Sequence, residues 1–116
     1  MKIKINPLPK PRMVKSDAWR KRPCVVKYWQ YKDELKKQFK GYKLGEVLEV
    51  TFVIPMPKSW SKKKKEEMYC QPHKQRPDLD NLIKALQDCL CEEDSHIHTY
   101  LDVSKVWGKD GAIIII

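Results

Sequence analysis

Apolar and polar residues alternate in two clear stretches of the chain and recur at helical spacing in two others. Lys2 to Asn6 alternates, with Ile3 and Ile5 on one side, and reads as a short strand. Pro7, Pro9 and Pro11 then exclude helix and sheet interior, so a loop follows. From Val26 to Lys40 the period changes: Tyr28, Tyr31, Leu35 and Phe39 recur every three or four residues, and Gly41 ends the run. These aromatics predict a helix with a core face. Glu46 to Ile54 alternates again through Leu48, Val50, Phe52 and Ile54, and Pro55 closes this strand.

Ser59 to Met68 predicts a short surface helix capped by Ser59 or Ser61, and residues 69–77 a polar loop. The best-defined helix follows, with Leu79, Leu82, Ile83, Leu86, Cys89 and Leu90 on one stripe. Ile97 to Trp107 and Ala112 to Ile116 read as strands. The segment Gly108-Lys-Asp-Gly111 between them predicts a hairpin turn. The expected order is strand, helix, strand, short helix, helix, hairpin. That is an α/β fold, a single domain over residues 1–116 with a mixed sheet packed by helices.

Composition narrows the function. Charged residues are 34% of the 116, but the apolar segments are long enough for one modest core, so the chain is expected to be globular. The formal charge of +9 favours a polyanionic partner such as nucleic acid. No apolar run approaches the about 20 residues of a membrane span, and the first residues lack an apolar signal core. A cytoplasmic protein with no membrane partner is expected. Reduced thiols are therefore the default for Cys24, Cys70, Cys89 and Cys91. Cys70-x-x-His73 and Cys89-x-Cys91 do not make a standard zinc spacing.

The cations cluster. Arg12, Lys15, Arg20, Lys21 and Arg22 surround Trp19, and their density favours a DNA-contacting arm over a solvated loop. Lys62 to Lys65 would grip phosphates or form a solvated face, and Glu66 and Glu67 partly cancel them.

Against this basic background stands an acidic cluster. Asp78 and Asp80 sit one residue apart where the last helix begins, and Lys84 follows one turn later. Glu93 and Asp94 come just past the helix. Two readings fit these residues. In the first, the acids offset the helix dipole, the Asp78 carboxylate caps the helix, and Asp80, Lys84 and Asp88 form an i,i+4 ion-pair ladder. In the second, the acids hold a divalent cation that in turn holds a phosphate, reconciling carboxylates with a polyanionic partner. Asp94 converges on Asp78 and Asp80 only if the chain folds back, which the strand from Ile97 would accomplish. Lys84 would neutralise phosphate charge as a compact point charge, and Asn81 would orient a carboxylate or the helix entry.

The segment Arg76-Pro-Asp-Leu-Asp-Asn-Leu-Ile-Lys84-Ala-Leu-Gln-Asp88, followed by Glu93-Asp94-Ser-His-Ile97, resembles the signature of RusA-type Holliday-junction resolvases. The opening Pro7-Leu-Pro-Lys-Pro-Arg-Met13, the Met56-Pro-Lys58 segment and Lys105-Val-Trp107 resemble phage and prophage members, so the likeness spans nearly the whole chain. It implies a RusA-like α/β fold in a symmetric homodimer that acts on branched DNA, not on a small-molecule substrate. Paired nicks in a four-way junction during recombination and repair would leave 5′-phosphate and 3′-hydroxyl ends. It implies Mg²⁺, or Mn²⁺, as cofactor, and a bacterial host cell as the setting. By position, Asp78, Asp80 and Asp94 become metal-binding catalytic acids and Lys84 the essential lysine. Glu93 stands where the family usually has aspartate, as a further metal ligand; Asp88 is read as supporting. Lys10, Arg12, Lys15, Arg20, Lys74 and Arg76 are the candidate DNA contacts. The competing expectations are a nuclease of the same fold acting on flaps, forks or duplex, and a non-catalytic basic nucleic-acid-binding module.

Overall fold

The computed structural model describes residues 2–11, 23–40, 42–90 and 95–116. Among the described residues, four strands and three helices follow one another as β1 (Lys2–Ile3), α1 (Pro23–Gln38), β2 (Val47–Pro55), α2 (Lys62–Met68), α3 (Leu79–Leu90), β3 (Thr99–Gly108) and β4 (Ala112–Ile115). The alternation along β2 becomes burial. Leu48, Val50, Phe52 and Ile54 are enclosed, while the residues between them are partly open. Their face of the sheet receives Tyr28, Tyr31 and Leu35 of α1 and Leu82, Leu86 and Cys89 of α3, with Ile113 and Ile115 of β4 and Trp107 of β3. The result is a mixed four-stranded sheet packed by helices, the α/β fold expected. Among the described residues no helix is long and apolar enough to cross a membrane.

The strand order is β1-β4-β2-β3, which corrects the hairpin expectation. β3 and β4 are not neighbours, because β2 lies between them, parallel to β3 and antiparallel to β4. Phe52, fully buried, thus has Lys105 on one side and Ile113 on the other. The link from Gly108 to Ala112 steps over the end of β2, where Met56 N–H donates to the Gly108 carbonyl at 3.0 Å. Four residue steps reach about 13 Å, enough to cross two strand spacings of about 4.8 Å. The two glycines serve this crossing rather than a tight turn. A Cβ on Gly108 would collide with the Val53 side chain, and one on Gly111 would stand 2.7 Å from Asn6 Cα.

The polar loop after α2 is more ordered than its composition suggests. Ser61 caps α2, its hydroxyl accepting Lys64 N–H at 3.2 Å. The chain then runs along the outer edge of β3. Cys70 N–H donates to Trp107 O at 2.9 Å, Trp107 N–H to Gln71 O at 3.0 Å, and His73 N–H to Lys105 O at 3.0 Å. Cys70 adopts a positive φ of 63° at the start of this run.

Candidate active site at the entry of helix α3

The loop that delivers the acids is fixed from β3. Lys105 lies beside Phe52 on the helix-covered face of the sheet, and its ammonium donates to two backbone carbonyls, that of Gln75 and that of Pro77, the latter at 2.6 Å. The Arg76–Pro77 peptide is cis. Asp78 follows at once, and its carbonyl accepts Leu82 N–H at 3.2 Å, the first bond of α3. Upstream, His73 is buried and its ring packs against Trp107 at a tilt of 53°, with centroids 4.2 Å apart. Trp60 packs on the same indole at 4.7 Å, and the Lys64 ammonium stands 4.4 Å over the Trp60 ring. These rings tie the start of the lysine-rich helix α2 to the end of β3. Burial lowers the imidazole pKa of His73, and the charge of Lys105 lowers it further.

The capped, ion-paired reading of the acids is corrected on both counts. Among the described residues, the Asp78 carboxylate accepts no bond from the first turn of α3, and the Asp80–Lys84–Asp88 ladder does not close. Asp88 is engaged elsewhere: Lys10 from the N-terminal loop donates to its Oδ2 at 2.6 Å. Among the described residues, no hydrogen bond joins Asn81 to either carboxylate. Asp78, Asp80 and Lys84 are exposed, and their side chains have no hydrogen-bond or ion-pair partner among the described residues. Two free carboxylates are hard oxygen donors of the kind Mg²⁺ takes in ones and twos while keeping several waters. To that extent the residues fit a divalent cation. No group of three potential ligands stands together among the described residues, and Glu93 and Asp94 lie outside them.

The candidate DNA contacts divide. Arg12, Lys15 and Arg20, with Trp19, lie outside the described residues. Lys10 is committed to Asp88. Lys74 and Arg76 are exposed on the loop that leads into Asp78. Two features escaped sequence reasoning. Lys105 is one; the alternation of its strand marks it as neither core nor site. The other is Tyr100, an exposed residue of β3 whose hydroxyl accepts from Gln87 of α3 at 2.9 Å. Gln87 lies three residues after Lys84 and seven after Asp80, so this bond ties their side of α3 to the open end of β3. Cys89 sits in the core, where burial raises its thiol pKa and keeps it protonated.

The fold and the charge leave the class of protein open, and comparison with known families supplies it. The chain matches the family described as Endodeoxyribonuclease RusA over residues 4–116. It belongs to the RusA family, and so to the endodeoxyribonucleases that act on Holliday junctions, a divalent-metal-dependent class of nuclease. No curated protein and no solved structure matches it.

Proposed function

We propose that this protein is a metal-dependent resolvase of four-way DNA junctions, with Asp78 and Asp80 as metal ligands and Lys84 as the phosphate-facing cation. The observation that carries the reading is the absence of partners among the described residues for these three side chains, while Asp88, one turn further on, is neutralised by Lys10. A carboxylate kept for structure is expected to find a nearby cation in a chain of charge +9; these two are left open. Asp94 is assigned the third ligand position and Glu93 an auxiliary one, from the family pattern. A divalent ion held there supplies Lewis-acid stabilisation of phosphate charge and a water acidic enough to act at neutral pH.

The protein's own groups do the rest. Asp78 and Asp80 orient the cation from a helix entry anchored to the sheet. Lys84 offsets charge on the non-bridging oxygens, as a compact ammonium suits. Lys74 and Arg76 hold the backbone of an arm through phosphates, so binding is salt-dependent and independent of sequence. Two copies related by a two-fold axis would address two opposed strands of a junction.

The test uses Asp80→Asn on labelled four-way junction and on duplex, with Mg²⁺ or Mn²⁺ and with chelator. Paired nicks in the junction alone are expected from the native chain, and none from the variant, which still binds the junction. Nicking of flaps or duplex at comparable rates would move the substrate away from junctions. Absence of metal-dependent nicking from the native chain would leave only a binding module.

A further inference from the structure

We propose that Lys105 is a positioning residue of the active site: by holding the peptide that enters Asp78, it sets the affinity of the acidic pair for the divalent cation. The inference rests on the reading of Asp78 and Asp80 as metal ligands.

Lys105 is tied to the loop before α3 twice. Its carbonyl accepts His73 N–H at 3.0 Å, and its ammonium donates to the carbonyls of Gln75 and Pro77. One residue therefore holds both ends of segment 73–77. Its own place is set by the core, because it lies in register with Phe52, a fully buried residue of the central strand. The Pro77 carbonyl belongs to the peptide unit whose nitrogen is that of Asp78. That unit is planar, so fixing its oxygen fixes the plane from which the Asp78 side chain departs. Asp80 needs no such device, since the hydrogen-bonded ladder of α3 holds its backbone. Asp78 is held by α3 through its carbonyl alone, and the ammonium of Lys105 fixes the peptide on its other side, keeping it in register with Asp80.

An ammonium has three donors, and two of these are spent on carbonyls. That leaves Lys105 poorly suited to a phosphate, in contrast to Lys84, which has no partner among the described residues. Supporting contacts behind metal ligands commonly change metal affinity or activity by about 10–100-fold when removed.

The test is Lys105→Met in the full chain, which keeps the aliphatic stem and deletes the donors. Mn²⁺ binding is measured directly without DNA, by calorimetry or by the spin-resonance signal of free Mn²⁺. The Mg²⁺ dependence of junction cleavage and junction affinity in chelator are measured beside it. The expected result is Mn²⁺ affinity weaker by about tenfold or more, cleavage shifted to higher Mg²⁺ and largely recovered at saturation, and unchanged metal-free junction affinity. Lys105→Arg keeps the charge and donors in another geometry and is expected to fall between. Should the methionine variant fail to fold, the arginine variant decides by the same readings. A folded variant with native Mn²⁺ affinity and native Mg²⁺ dependence would overturn the proposal. So would a loss confined to metal-free junction affinity, which would make Lys105 a phosphate contact. A native chain with no Mn²⁺ affinity would overturn the assignment of the acids themselves, and this proposal with it.

Discussion

Lys10 and Asp88 meet at 2.6 Å across 78 residues of chain, joining the N-terminal loop to the back of helix α3. The contact gives Asp88 a cation other than Lys84 and leaves two kinds of acid on one helix. Asp88 is paired and partly covered, and Asp80 is open.

That pairing separates structure from chemistry. Both side chains are about one-third exposed, at 34% and 32%, so solvent screens the pair and its worth is about 0.2–1 kcal/mol. Asp88→Asn is expected to lower stability by no more than that, with metal-dependent cleavage within about twofold of native. Denaturant unfolding and a cleavage time course check both. Lys10→Ala is expected to leave junction affinity nearly unchanged, since its charge is already compensated.

Lys84 should behave in the opposite way. It has no partner among the described residues, so Lys84→Ala is expected to shift stability by less than about 0.5 kcal/mol. Cleavage should fall by about 10²–10³-fold, the usual cost of removing one group that stabilises transition-state charge. Junction affinity in chelator should change only a few-fold. A parallel loss of stability and activity would instead make Lys84 a structural residue.

His73 makes stability pH-dependent. Burial, reinforced by the charge of Lys105, depresses its folded-state pKa below the ordinary value of about 6.5. The unfolded chain therefore binds a proton that the folded chain resists. The stabilisation is complete above the unfolded value and is lost as pH falls through the depressed folded value. Thermal unfolding followed from pH 8 downward should show Tm declining below about pH 6.5. Nδ1 of His73 has no hydrogen-bond partner among the described residues, so His73→Phe leaves no polar atom stranded on that account and keeps a ring against Trp107. It should cost less than about 1.5 kcal/mol at pH 8 and flatten the acid-side decline.

The fold was legible where period alone decides it. Alternation through Leu48 to Ile54 and the stripe from Leu79 to Leu90 are local patterns, and burial follows them. The hairpin was misread because Gly108 and Gly111 carry the same signal whether the chain turns back or steps over a neighbour. The choice belonged to β2, which had two edges to pair and drew β3 to one and β4 to the other. Of the candidate site, Asp78, Asp80 and Lys84 were legible from their spacing at a helix start. The absence of partners for them among the described residues was not, because the competing ion-pair ladder has the same spacing. Lys105 was invisible to any local reading, since its ammonium acts on a carbonyl 28 residues away.

The sequence by itself determined which segments are helix and strand, the net basic charge and the placing of two acids at the start of the last helix. Those follow from side-chain period and charge, which are properties of neighbours along the chain. Only the tertiary structure decided the strand order, the capture of Asp88 by Lys10 and the anchoring of the Asp78 peptide by Lys105. Each of these is a contest between partners distant in sequence, settled by which groups the packed sheet brings within hydrogen-bond reach.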